Sequence, residues 1–501
     1  MKIFTAAQIR ACDAYTIQAA GINSVELMER AATRCAEWIA GNLSRETLFV
    51  VLCGTGNNGG DGLALARILH HRGYGIKAFI LRLTQEFSPD CHANYKRLQK
   101  SDPELVGIVE PDTFITDIHP QIVIIDAILG TGTNRPAEGW LAAFIQHINQ
   151  LPNRKIAIDM PSGLPADTIH DGDQAIVRAG DTLSFQFHKR AFLHPESGPY
   201  AGNIHVLDIG LDNIFINATH TQYYTVEHAD AVALYKPRSP FTHKGTYGNV
   251  LVAGGSYGKA GAIILTAKAA LRSGAGLVTA LVPACAYTPL QASVPEAMCL
   301  TSGDREIDNI TGWEQMKAVG IGPGLGTATA TASAFAEFLD ACKIPLVVDA
   351  DALNLLAKHT ELLAKLPKGS ILTPHPKEFT RLFGENSNSI MQLDHARIQA
   401  MRYNINIVLK GHHTIVVTAE GECWYNMTGN AGMATGGSGD VLTGIITGLL
   451  AQGYEPHHAA IFGVYIHGLA GDMAAKEMSE EALIAGDMIG YLGQAFKTIA
   501  G

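Results

Sequence analysis

Apolar positions along the chain follow two alternating periods. Short runs, nearly continuous in Val, Ile, Leu, Phe and Ala, recur at 48–52 (LFVVL), 75–81 (GIKAFIL), 121–129 (QIVIIDAIL), 155–160 (KIAIDM), 181–187 (DTLSFQF) and 203–211 (NIHVLDIGL). Runs of that length without polar alternation predict strands buried on both faces, as in a parallel sheet. Between them the spacing becomes helical. Ahead of them, Leu27, Met28, Ala31, Ala32, Cys35, Trp38 and Ile39 repeat every three to four residues, and Asn23 with Glu26 makes a capping box. Strands that alternate with helices predict an α/β fold with helices on both faces of the sheet, a Rossmann-like doubly wound arrangement.

The pattern lapses at 211–226 (LDNIFINATHTQYYTV) and resumes at 248–256 (GNVLVAGGS). It continues through GLVTALVP, AVGIGPGLG, PLVVDADALNLL, SILTPHPKEF and INIVLKGHHTIVV to a helical block from Val441. A chain of 501 residues is too long for one ordinary core. Two α/β domains, 1–222 and 223–501, are therefore expected, without an internal repeat.

Composition narrows the function. A net charge of −10 with no Lys/Arg block argues against a nucleic-acid partner, and no run approaches a membrane span. The N-terminus lacks the apolar region of a signal peptide, so a cytoplasmic protein is expected. The eight cysteines form no CxxC pair, which predicts reduced thiols and not disulfides or a zinc site.

The candidate chemistry lies at strand ends. GTGNNGGDG (54–62) follows a predicted strand and enters a helix, where free N–H groups converge on an anion. Its five glycines allow tight turning and close ligand approach, and Asn57, Asn58 and Asp61 add polar groups. It matches neither GxGxxG nor a P-loop. Asp126 and Asp159 each close a β-branched run, where a carboxylate needs a partner. Such an acid can equally cap the following helix. In the second half, GGSGD (436–440) leads into a helix with Asp440 in its first turn, so Asp440 is a candidate base and the glycine N–H groups a candidate oxyanion site. TPHPKEF (373–379), LKGHHT (409–414), GIGPGLG (320–326) and GGSYGKAGA (254–262) add further loops to one crevice.

In their order, GTGNNGGDG, DAILGTGTNRP and DMPSG resemble the NAD(P)HX epimerase family, which interconverts the R and S epimers of hydrated NADH and NADPH. The resemblance implies that Asn57, Asn58, Gly59, Gly60 and Asp61 bind the hydrated nucleotide. Gly130, Thr131, Gly132, Thr133, Asn134, Arg135 and Pro136 would join them. It implies a potassium ion on Asn58, Asp126 and Ser162, and Asp159 at the nicotinamide end as catalytic acid/base. Residues 227–501 resemble the ribokinase-like superfamily in its ADP-dependent NAD(P)HX dehydratase branch, and so a ribokinase-like α/β domain. In that branch Ala262, Gly324, His375 and Asp440 would line the hydrated nucleotide. Lys410, Gly411, His412, His413, Thr414 and Gly439 would bind ADP, with magnesium as cofactor. His375 stands where the superfamily has the Asn of an N-x-x-E motif ending at Glu378, so no magnesium ligand is assigned. A homo-oligomer is also expected. Two alternatives share these loops: a kinase for a small alcohol such as a vitamin precursor, and a non-catalytic nucleotide-binding first half. TPHPKE and the first-half motifs separate the former, and retention of Asp126, Asp159 and Ser162 argues against the latter.

Overall fold

A computed structural model describes residues 1–116, 118–132, 136–169 and 174–501. The chain divides into two compact units, Lys2–Thr221 and Gln222–Gly501, the latter including Met1.

The first unit is built on seven parallel strands: β1 (Leu48–Cys53), β2 (Gly75–Leu81), β3 (Val106–Val109), β4 (Val123–Ala127), β5 (Lys155–Ile158), β6 (Asp181–Phe185) and β7 (Asn203–Leu207). Their order is β3-β2-β1-β4-β5-β6-β7. All six pairings are parallel. Strand alternation explains why the runs are apolar throughout. Phe49, Val51 and Cys53 pack into the core under the helices Ser24–Asn42, Asn57–His71 and Pro89–Ser101, while Val50 and Leu52 pack on the other face with Phe144 and Ile148 of Gly139–Gln150. The order reverses between β1 and β4, so the segments that follow them diverge and open a crevice at the strands' carboxyl ends.

The second unit has ten strands: β8 (Tyr223–Val226), β9 (Asn249–Ala253), β10 (Leu277–Val282), β11 (Met298–Thr301), β12 (Ala318–Ile321), β13 (Leu346–Val348), β14 (Ile371–Leu372), β15 (Asn406–Leu409), β16 (Ile415–Val417) and β17 (Cys423–Asn426). They run β11-β10-β9-β12-β13-β14-β15-β16-β17-β8, parallel except where β16 pairs antiparallel with β15 and β17. Its core helix, Ser438–Ala451, is buried from Val441 onward. Gly444 and Gly448 let it press on Ala260–Arg272: a Cβ at either would lie 2.2 Å from Thr266 O or 2.1 Å from Ser273 Oγ.

The polar stretch 211–226 is not simply a loop. It holds the helix Asn213–Ala218 and the edge strand β8, which is half-buried and so carries no strong apolar period. Among the described residues no helix is long and apolar enough to cross a membrane, and all eight cysteines are free thiols.

Candidate functional site

In the first unit the glycine motif is split by a helix start. Gly54–Gly56 leave β1, and Asn57 begins the helix Asn57–His71 with Gly56 as N-cap. None of its five glycines has a positive φ. Most are required by packing: a Cβ on Gly54 would meet Ile128 O at 2.0 Å, and one on Gly59 would meet Gly54 O at 2.0 Å. Gly60 lies against Met28, and Gly62 against Ala127 and Cys53. Only Gly56 faces open space. The motif thus seats its helix close against β1 and β4, and leaves the ligand side to Gly56, Asn57, Asn58 and Asp61.

Those four residues line a cavity of about 560 Å³ with Asp13, Thr55, Thr84, Gly130, Thr131, Gly132 and Asp159. Pro136 is not among the lining residues, and Thr133, Asn134 and Arg135 lie outside the described residues. Asp159 sits at the end of β5 with φ +63°, a left-handed conformation that a non-glycine residue adopts at a cost of about 1–3 kcal/mol, characteristic of functional positions. Its carboxylate accepts from the buried Lys189 ammonium and from Phe185 N–H (3.2 Å). Lys189 also donates to Ser184 Oγ (2.8 Å) and Phe185 O (3.2 Å). Burial pushes Asp61 well above the usual carboxylate range, and the negative charges of Asp159 and Asp13 add to this. Asp13 rises to about 6, chiefly through burial and the Asp159 charge.

Asn58, Asp126 and Ser162 converge beneath this cavity. Asn58 Nδ2 donates to Leu129 O (2.8 Å), and Leu129 N–H donates to Ser162 Oγ (2.8 Å). Ser162 Oγ–H and N–H reach the two oxygens of Asp126 at 2.5 and 2.7 Å. Asp126 is 1% exposed, and burial lifts its pKa to about 6 although Ser162 and Ile128 hydrogen bonds oppose the rise. No cationic side chain pairs with it among the described residues. The Asp126 carboxylate, Ser162 Oγ and Leu129 O thus lie together, with Asn58 joined to them through Nδ2, and oxygen groups of this kind suit a hard cation.

In the second unit Gly437 is the N-cap of Ser438–Ala451 in the left-handed region (φ +91°), which puts Asp440 in the first helical turn. Burial and the charge of Asp349 lift Asp440 to about 7, against an opposing pull from Lys410. Lys410 Nζ is 2.6 Å from Asp349 Oδ1, and Thr443 Oγ1 donates to Asp349 Oδ2 at 2.8 Å. Gly439 lies directly over this pair: a Cβ there would be 3.1 Å from Lys410 Nζ. A second cavity, of about 610 Å³, is lined by His375, Lys410, Gly411, His412, Thr414 and Gly439 together with Asn426, Asn430 and His467. His413 is not among its lining residues; it turns Nδ1 to Asn426 O (3.2 Å). Ala262 and Gly324 gather away from that cavity, where a Cβ on Gly324 would touch Ala262 Cβ at 3.3 Å and Lys259 O at 2.7 Å.

The TPHPKE loop is a helix cap. His375 Nδ1 accepts from the N–H groups of Lys377 and Glu378, and Glu378 Oε2 accepts from His375 N–H (2.9 Å). With its carboxylate so used and 8% of the residue exposed, Glu378 is poorly placed to ligate a metal directly. Among the described residues, no group of three or more His, Cys, Asp or Glu side chains is arranged to hold a metal.

Asp13, Lys189 and Asp349 belong to these sites but do not stand out in the sequence. Asp349 ends the run PLVVD just as Asp126 and Asp159 end theirs, so the same signal was present. Lys189 follows the DTLSFQF strand, a position that marked it only weakly. Asp13 lies on the first helix, remote in sequence from everything it faces, and no local pattern distinguishes it.

Residues 250–491 match the family described as NAD(P)H-hydrate dehydratase, and residues 24–191 match the YjeF-related protein N-terminus. The chain is 36% identical to the bifunctional NAD(P)H-hydrate repair enzyme of Moorella thermoacetica, over 100% of this chain and 97% of that protein. It is 33% identical to that of Escherichia coli, over 94% and 89%. Among solved structures, an ADP/ATP-dependent NAD(P)H-hydrate dehydratase from Bacillus subtilis, co-crystallised with ATP and Mg2+, is 31% identical over 55% of this chain and 97% of its own, with a TM-score of 0.48. A ribokinase-like superfamily protein from Enterococcus faecalis covers 56% and 98% at 29% identity, with a TM-score of 0.48.

Proposed function

This chain belongs to the bifunctional NAD(P)H-hydrate repair enzymes, and we propose from that membership how its two units divide the work. Residues 1–222 interconvert the R and S epimers of NAD(P)HX. Residues 223–501 dehydrate the S epimer, converting ADP to AMP and phosphate. The observation that carries this division is that each unit has its own cavity and its own acid at a strand or helix end: Asp159 lines the first, and Asp440 lies in the helical turn that contributes Ser438 and Gly439 to the second.

In the first unit Asp159, fixed by Lys189, exchanges a proton with the hydrated ring, while Asn57, Asn58, Asp61, Gly130, Thr131 and Gly132 hold the nucleotide. Gly59 and Gly60 serve by seating the helix that carries Asn57, Asn58 and Asp61. A potassium ion fits the oxygens of Asn58, Asp126, Ser162 and Leu129. When bound, it supplies the positive charge that the buried Asp126 lacks among the described residues.

In the second unit Asp440 takes the proton from the substrate hydroxyl as the β-phosphoryl group of ADP is transferred to that oxygen. Phosphate then leaves with the C–O electron pair and a ring proton is lost, which gives NAD(P)H and AMP. The N–H groups at the start of Ser438–Ala451 stabilise charge on the phosphoryl oxygens. Ala262, Gly324 and His375 line the hydrated nucleotide with Asp440; Lys410, Gly411, His412, Thr414 and Gly439 hold ADP. Magnesium would be held by the nucleotide's own phosphates, since Glu378 is committed to its helix cap.

The test uses the full chain with a mixed pool of R and S epimers, ADP and magnesium, followed by chiral separation. Asp159→Asn should consume the S epimer and leave the R epimer behind, whereas wild type consumes both. Equal consumption of both by the variant would refute the division.

A further inference from the structure

The first cavity contains more carboxylates than holding a nucleotide requires. Asp13 from the helix Ala6–Ala20, Asp61 from the helix Asn57–His71 and Asp159 from the end of β5 all line it. Asp159 is committed to Lys189 and to the Phe185 N–H. Neither Asp13 nor Asp61 makes a hydrogen bond or ion pair among the described residues. The basic groups nearby are Arg10, on the cavity wall, and Lys189, buried under Asp159. Three acids thus face a lumen with fewer cations.

Resting on the assignment of epimerisation to this unit, we propose that Asp61 is the proton donor to the leaving hydroxyl, with Asp159 as the acceptor and Asp13 as a positioning residue acting through Asp61. Asp61 gives its proton to the hydroxyl on the hydrated ring carbon. The C–O bond breaks with its electron pair on oxygen, water departs, and the lone pair of the ring nitrogen forms a C=N bond bearing positive charge. Water then adds to the opposite face, the C=N pair returns to nitrogen, and Asp159 takes the proton from the incoming water. Solvent exchange restores the starting protonation, and the reverse direction uses the swapped forms. No atom is oxidised or reduced. The acids come from two different elements, so they can address the two ring faces.

The charge balance of the cavity selects this route over ring opening. Opening the ring breaks the C–N bond with its electron pair on nitrogen as the hydroxyl loses its proton, so negative charge develops on oxygen and nitrogen, which the carboxylates of Asp13 and Asp159 oppose, whereas hydroxyl loss creates a cation that they stabilise. Asp61 suits the donor role because it lines the cavity and because burial and the facing carboxylates favour its protonated form. The groups that face it are Asp159, Asp13, Asp90, Cys35 and Cys91, with Lys189 reaching it through Asp159 and Asp13.

The experiment follows interconversion of purified R- and S-NADHX by the full chain without ADP, in water enriched in oxygen-18. Wild type should place solvent oxygen on the ring carbon at each epimerisation. Asp61→Asn should slow interconversion by about a hundredfold or more, and Asp61→Glu should restore part of it. Asp13→Asn should move the alkaline limb of the pH–rate profile to lower pH, because removing a negative neighbour eases ionisation of Asp61; a purely structural role would leave that limb in place. Interconversion without label uptake would overturn the route. An Asp61→Asn rate close to wild type, or an unmoved limb in Asp13→Asn, would overturn the residue roles. A wild-type chain that does not interconvert the epimers at all would refute the underlying assignment, a result distinct from either.

Discussion

The two sites begin alike, each a glycine-rich segment running from a strand region into a helix N-terminus, yet the glycines serve different ends. At 54–62 they have ordinary φ values, and all but Gly56 are needed because neighbouring backbone and side chains press on them. At 436–440 Gly437 takes a φ of +91° that side chains rarely adopt, so there the glycine shapes the turn itself. The surroundings differ in the same sense. The first cavity gathers Asp13, Asp61 and Asp159 around one buried lysine, which suits moving protons on an uncharged ring. The second sets Asp440 beside a paired Asp349 and Lys410 under backbone N–H groups, which suits a reaction in which phosphoryl charge must be held. A glycine motif therefore locates a site, but the charges around it decide the chemistry.

The largest effect should come from removing the second site's acid. Asp440→Asn should lower ADP-dependent NADH formation by about a hundredfold or more while leaving nucleotide affinity in place, measured by absorbance and by calorimetric titration. With Asp440 near 7, the wild-type rate should climb as pH rises through neutrality, since only the ionised carboxylate can accept a proton. Stability should run the other way. The raised pKa means that ionising Asp440 is easier in the unfolded chain, so its contribution is fully present at acid pH and is lost as pH rises from the usual carboxylate range through about 7. Melting curves of wild type should show that loss, and those of Asp440→Asn should show less of it.

Much of this arrangement was legible in the chain. The strand runs marked both sheets, because strands buried on two faces must be apolar throughout, and Asn23 with Glu26 does cap its helix as a capping box. Asp126 and Ser162, far apart in sequence, do meet, since Asp126 lies at the end of β4 and Ser162 follows the neighbouring strand β5. What could not be read was any relation that depends on helix placement. Asp13 faces Asp159 only because the helix Ala6–Ala20 lies over that end of the sheet, and no periodicity encodes this. Nor does sequence reveal that Gly59 answers to Gly54 O, or that Glu378 is occupied by its own cap.

A smaller effect tests the glycine contrast directly. Gly59→Ala drives a Cβ to 2.0 Å from a backbone oxygen that cannot swing aside, so the first unit should lose about 1–3 kcal/mol in denaturant melts, the usual cost of overpacking. Gly56→Ala, which faces open space, should lose less, about 0.5–1 kcal/mol, the difference between Gly and Ala at an N-cap. Equal losses would show that the motif's glycines are not separated by packing as the geometry requires.

The smallest effect concerns the ion proposed beneath the first cavity. Replacing potassium by choline at constant ionic strength removes a ligand that binds only the folded state. At a potassium concentration about fivefold above its Kd, the linkage contributes about 1 kcal/mol. For a unit of this size that corresponds to a shift of about 2–4 °C in the melting transition. Ser162→Ala takes away one donor oxygen and the partner of Asp126 Oδ1, so its melting transition should be lower in both salts and no longer distinguish them. The transition of the second unit should respond to magnesium with ADP instead. If wild type melts at the same temperature in potassium and in choline, the convergence of Asn58, Asp126 and Ser162 is a hydrogen-bonded brace for the Leu129 segment and holds no ion.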